Sequence, residues 1–190
     1  MDQKQEIITV DFALRSKPPV LRSESAEEYT SLHKKLVEEI GPQGLIEAVY
    51  VEEITGLIWE IKRLRSCKVS AIHPKLQQAL QRILVQVLPI LEKQRAASLA
   101  SKWFEEDTAA REEVSEIFKR FDLDGFAIEA EAIKLASDQL EWLDKALVSA
   151  GSRLDRALRF IKSYRVDFAD ELRRKTDRLL NVTPPQRSAN

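Results

Sequence analysis

Residues 133–168 read IKLASDQLEWLDKALVSAGSRLDRALRFIKSYRVDF. Counting by sevens from Ile133 gives Leu140, Leu147, Leu154, Ile161 and Phe168; counting from Ala136 gives Leu143, Ala150, Ala157 and Tyr164. The two series interleave at steps of three and four, which is the a/d pattern of a coiled-coil seam. The phase passes unbroken through Gly151. A Gly inside a helix costs about 1 kcal/mol against Ala, but a hairpin turn would have no reason to keep heptad phase. The pattern therefore predicts one continuous helix over residues 126–180, bent at most at Gly151. About 50 residues of helix extend roughly 75 Å, more than a compact domain of this size spans. Part of the seam is thus expected to need a second chain, and its candidate oligomer residues are Ile133, Leu140, Leu143, Leu147, Leu154, Ile161, Tyr164 and Phe168. Towards the C-terminal half, where Leu158, Phe160 and Leu172 widen the apolar face, either the N-terminal hairpin or a second chain is expected to pack.

Working outward, the rest of the chain is also helical. With 44% hydrophobic residues it can bury a core, and with 32% charged residues and five Gly in 190 it has the composition of long helices. Ser25-Ala26-Glu27-Glu28 is a capping box. Tyr29, Leu32, Leu36, Val37 and Ile40 then make one face, and Gly41-Pro42 ends it. A second helix over about 43–70 carries Ile46, Tyr50, Ile54, Leu57, Ile58, Ile61 and Leu64 on one stripe, and the short connection makes the pair an antiparallel hairpin. His73-Pro74 interrupts, and Pro89 ends or kinks a third helix near Leu88. The pattern resumes through Leu99, Trp103 and Phe104; Asp107 or Thr108 caps a short helix, and 122–125 is a turn. The expected organisation is all-α: an arm over 1–24, a helical bundle over 25–125, the long coiled-coil helix over 126–181 and a frayed tail over 182–190. In the arm, Ile8, Val10, Phe12 and Leu14 alternate as a strand would, but no second strand-like segment offers a partner.

Three blocks carry a resemblance: residues 21–29, the run 47–65 centred on Trp59 and Arg63-Leu64-Arg65, and residues 140–165. Together they resemble a set of uncharacterised bacterial helical, coiled-coil-like proteins without a functional name. The resemblance implies a bacterial cytoplasmic helical protein and brings no site residues with it.

Candidate chemistry fails at the ligand positions. Asp122-Leu123-Asp124-Gly125 resembles the entry to an EF-hand, but loop position 6 would be Ala127 and position 12 Ile133, where Gly and a bidentate Glu are required. A di-metal carboxylate bundle needs Glu-x-x-His, and Thr30 and Ser70 precede His33 and His73 by three. Cys67 with His73 falls short of four zinc ligands. No Gly-rich phosphate loop and no nucleophile elbow occurs. A helix-turn-helix reading of the 123–126 turn would place Glu129 and Glu131 against phosphate. No cofactor, no metal and no catalytic residue is expected.

Charge is the most informative surface feature. Residues 105–131 hold ten acids against three basic residues, and residues 145–190 hold eleven basic residues against five acids. Arg153, Arg156, Arg159 and Lys162 recur every third residue, and with Arg173 and Arg174 they form a candidate contact to nucleic acid, without an aromatic platform interleaved among them. The expected function is a non-catalytic scaffold or adaptor acting through self-association, an antiparallel homodimer that meets basic end with acidic beginning, and through an unknown protein partner. The alternative is a nucleic-acid-associated accessory protein. A lone cysteine, no apolar leader and no membrane-length apolar run lead to a cytoplasmic expectation without membrane contact. In this reading Leu154→Asp dissociates the dimer or unfolds the helix.

Overall fold

The computed structural model describes residues 18–88 and 93–180. The alternating segment 8–14, Pro89 and the tail 182–190 lie outside the described residues. Within them the chain is all-α, without a strand: α1 (Ala26–Ile40), α2 (Leu45–Ile72), a 3-10 turn (His73–Lys75), α3 (Leu76–Val87), α4 (Lys93–Phe104), α5 (Thr108–Arg120), α6 (Gly125–Leu135) and the long C-terminal α7 (Ser137–Leu180).

The helix ends follow local chemistry. Ser25 Oγ accepts the Glu28 N–H at 3.1 Å, Asp107 accepts that of Ala110 at 2.8 Å, and Asp124 that of Ala127 at 3.3 Å. Each cap satisfies one of the orphan donors of a first turn. Gly41 closes α1 at φ 56°, a left-handed position with no Cβ penalty for Gly. Two other closures place larger residues there. Glu106 (φ 68°) and Asp122 (φ 52°) are the left-handed residues of Schellman motifs. In these the Asp107 N–H donates to the Lys102 carbonyl at 3.0 Å and the Leu123 N–H to that of Phe118 at 2.9 Å.

The chain divides into two compact units, one drawn from the described parts of Met1–Glu60 and Ala150–Asn190, the other from those of Ile61–Ser149. In the first, α1 and the first half of α2 form an antiparallel hairpin. His33 Nδ1 lies 3.1 Å from Thr55 Oγ1, and one turn earlier on α1 Tyr29 meets the edge of Trp59, one turn later on α2, with centroids 5.5 Å apart. The second half of α7 completes the unit by placing Ala157 and Ile161 against Val51, Ile54 and Leu57. In the second unit α3 packs on both α4 and α6, and α4 on α5. Leu80, Leu84, Leu99, Val114, Phe118 and Ile128 fill its core. Ala79, Ala96, Ala100, Ala110 and Ala132 are buried at the contacts, and side chains this small let backbones approach closely.

One expectation is corrected. Residues 126–180 are not one helix: the chain breaks at Ala136, which has φ −96° and ψ 4°. Its N–H is shared between the carbonyls of Ala132 and Ile133, at 3.0 and 3.1 Å, so the last turn of α6 tightens. The physical reason is packing. Ile128 and Ala132 are drawn into the core around α3, which fixes α6, while Asp138 in the first turn of α7 suits the positive end of a new helix. Gly151, by contrast, lies inside α7 without interruption. A Cβ built there meets nothing within 4 Å. Gly151→Ala is therefore expected to raise stability by about 1 kcal/mol, read from the urea midpoint.

Candidate functional site

The residues that decide what the surface can do lie on α7 and on the end of the hairpin it packs against. Arg165 is the anchor. Its guanidinium holds the buried Glu47 carboxylate with two bonds, Nε to Oε1 at 3.1 Å and Nη2 to Oε2 at 2.9 Å. Nη2 also donates to the carbonyls of Ile40 and Gly41, at 2.7 and 3.3 Å. One side chain thus neutralises a buried acid and caps the C-terminus of α1, whose last carbonyls have no helical partner. The hydrogen bonds from Arg165 hold the Glu47 carboxyl below its usual range. Burial works the other way, and the Gln43 N–H, at 2.9 Å, adds to the lowering.

Beside this anchor runs a ladder of rings. Tyr50 stacks on Phe160 at 4.0 Å, Phe160 on Tyr164 at 5.9 Å and Tyr164 on Phe168 at 6.3 Å, each pair within 17° of parallel. The four-residue steps of 160, 164 and 168 lay one ring above the next along a helix. The ladder starts on α2 and ends on Phe168, which is 57% exposed, followed one turn on by Leu172 at 56%.

The seam residues divide. Leu140, Leu143 and Ile161 are buried, and Leu147, Leu154 and Tyr164 half-buried. Ile133, on α6, and Phe168 are exposed. Ile161 and Leu154 pack against the α2 residues of their own chain, so the middle of the seam is occupied without a second copy. Leu154→Asp is accordingly expected to disturb the folding of this unit. The basic flank is exposed at all six positions, Arg153, Arg156, Arg159, Lys162, Arg173 and Arg174. Arg153 reaches Glu60 at 3.5 Å, and Arg159 donates to the Asp155 carbonyl at 3.1 Å.

The Glu47–Arg165 pair and the ring ladder were missed in the sequence. No local signal marks the first, because 118 residues separate its members. The second had one, the four-residue spacing of Phe160, Tyr164 and Phe168, but spacing on one helix does not show that Tyr50 of α2 stacks on its end. Cys67 is exposed, and among the described residues no group of three or more His, Cys, Asp or Glu is placed to hold a metal ion. No helix is long and apolar enough to cross a membrane among the described residues. Comparison with protein-family models, with curated proteins and with solved structures returned no match.

Proposed function

We propose that this chain is a non-catalytic helical scaffold or adaptor of the cytoplasm, acting through self-association and through binding a protein partner. One observation carries the reading: α7 presents large apolar side chains to solvent along its length, Trp142, Val148, Leu158, Val166, Phe168 and Leu172, each at least 46% exposed. The same helix supplies Ala157 and Ile161 to a core, so these residues stand on a fixed support. Apolar area of this kind is stabilised by a partner that removes it from water. Sedimentation equilibrium at physiological salt is the test. A dimer is expected at micromolar concentrations, and a monomer throughout that range would sink the self-association.

The exposure of Arg156, Lys162, Arg173 and Arg174 supports a second reading, contact with nucleic-acid phosphate. Phosphate contacts release counterions, so binding of a labelled duplex or single strand should fall steeply as salt rises. No binding at low salt removes this reading.

A further inference from the structure

The row Phe160, Tyr164, Phe168, Leu172 runs along one ridge of α7 at four-residue steps. Its first members are covered within the chain: Phe160 stacks on Tyr50 of α2, and Tyr164 is half-buried. The cover stops where the hairpin stops, because Arg165 already reaches the carbonyls of Ile40 and Gly41 at its closed end. Residues 166–177 are exposed at every position. The helix continues to Leu180, about 22 Å past Arg165 at the usual rise. A ridge that α2 fills on one stretch is thus left open on the next.

We propose that the open stretch is filled by the same stretch of a second copy, running antiparallel. The inference rests on the self-association reading and says where the copies meet. Charge selects both the occupant and the orientation. Glu171 and Lys175 lie one turn apart on one flank of the Phe168–Leu172 row, and within the chain they pair at 2.7 Å. Antiparallel packing about a two-fold axis brings the same flank of both copies together. Glu171 then stands beside Lys175 of the second copy, and Lys175 beside its Glu171. The same axis, passing near Leu172, sets Leu172 of each copy against that of the other, with Phe168 one turn further out on either side. No new helix nucleus is needed, since these turns propagate from the packed part of α7.

The test uses the full chain and sedimentation equilibrium, with circular dichroism as a check on folding. Leu172 is exposed and outside both cores, so Leu172→Asp should leave helicity unchanged and weaken the dimer by about 10- to 100-fold. Glu171→Lys, which sets Lys against Lys across the axis, should weaken it by about two- to fivefold at low salt, and less as salt rises. Asp170→Lys makes the same change in charge, but at 100° per residue it falls on the side of α7 away from Phe168 and Leu172, and it should leave the dimer unchanged. A wild-type dimer indifferent to Leu172→Asp overturns this surface and leaves self-association to another. Equal weakening by Asp170→Lys and Glu171→Lys overturns the antiparallel pairing. A wild-type monomer overturns both readings. Binding to anionic phospholipid vesicles or to an oligonucleotide, if lost in Leu172→Asp, would then assign the row to that ligand.

Discussion

Leu80→Ala is expected to lower the unfolding free energy by about 3 kcal/mol, within the usual range of about 2–5 for a fully buried leucine. Leu80 lies on α3 with no exposed surface, in the core that α3 forms with α4, α5 and α6. Removing its branch forfeits the burial of three carbons and leaves a void. Alanines at several surrounding contacts already bring the backbones close, which limits how far the walls can move in to fill it. Urea denaturation followed by circular dichroism measures the loss. Val148→Ala is the control: Val148 is 70% exposed, and the change should stay within about 0.5 kcal/mol. A loss under about 1 kcal/mol for Leu80→Ala would mean that the core repacks around the smaller residue.

Arg165→Met should cost about 2 kcal/mol and change how stability depends on pH. The substitution keeps much of the apolar stem but leaves Glu47, 3% exposed, with the Gln43 N–H as its remaining bonded donor, and it uncaps α1. Leaving a buried charged group without its partner costs about 1–3 kcal/mol or more. The cost stays at the low end because the guanidinium side is 41% exposed and water screens it. The sign of the pH effect follows from the lowered pKa of Glu47. Its ordinary value is 4.5, and the folded value lies below that. The stabilisation is present above the ordinary value and is lost as pH falls through the folded one. Wild type should therefore lose stability below about pH 4.5 more steeply than Arg165→Met, whose acid limb should flatten. Glu47→Gln removes the same titration. Urea midpoints measured at several pH values check all three proteins, and parallel acid limbs would assign the acid loss to other carboxylates.

What was legible in the sequence was what local physics controls. The Ser25 and Asp107 caps, the Gly41 stop, the break at His73 and the end of α3 at Leu88 each follow from one or two residues acting on their own backbone. The heptad phase across Gly151 correctly marked a helix that runs through it. The same periodicity misled at Ala136. Heptad counting records which residues are apolar, not which neighbour they face, and Ile128 and Ala132 turn α6 towards α3. The partner of the seam's C-terminal half stayed open, between the N-terminal hairpin and a second chain, for the same reason. An apolar row does not distinguish α2 of its own chain from a helix of another, and that choice is made by contacts between residues about 100 positions apart, such as Tyr50 with Phe160.

The first unit is assembled from both ends of the described chain, with everything from Ile61 to Ser149 synthesised in between. A ribosome delivers the α1–α2 hairpin early, with Val51, Ile54 and Leu57 ready for a face of α7 that does not yet exist. At about 5–20 residues per second, the roughly 100 residues before Ile161 and Arg165 take about 5–20 s to appear. The second unit is complete at Ser149, before Ile161 and Arg165 are made, so of the two units the one that starts first finishes second. During that wait the nascent hairpin is a target for chaperones, or for the hairpin emerging on the next ribosome of the same message.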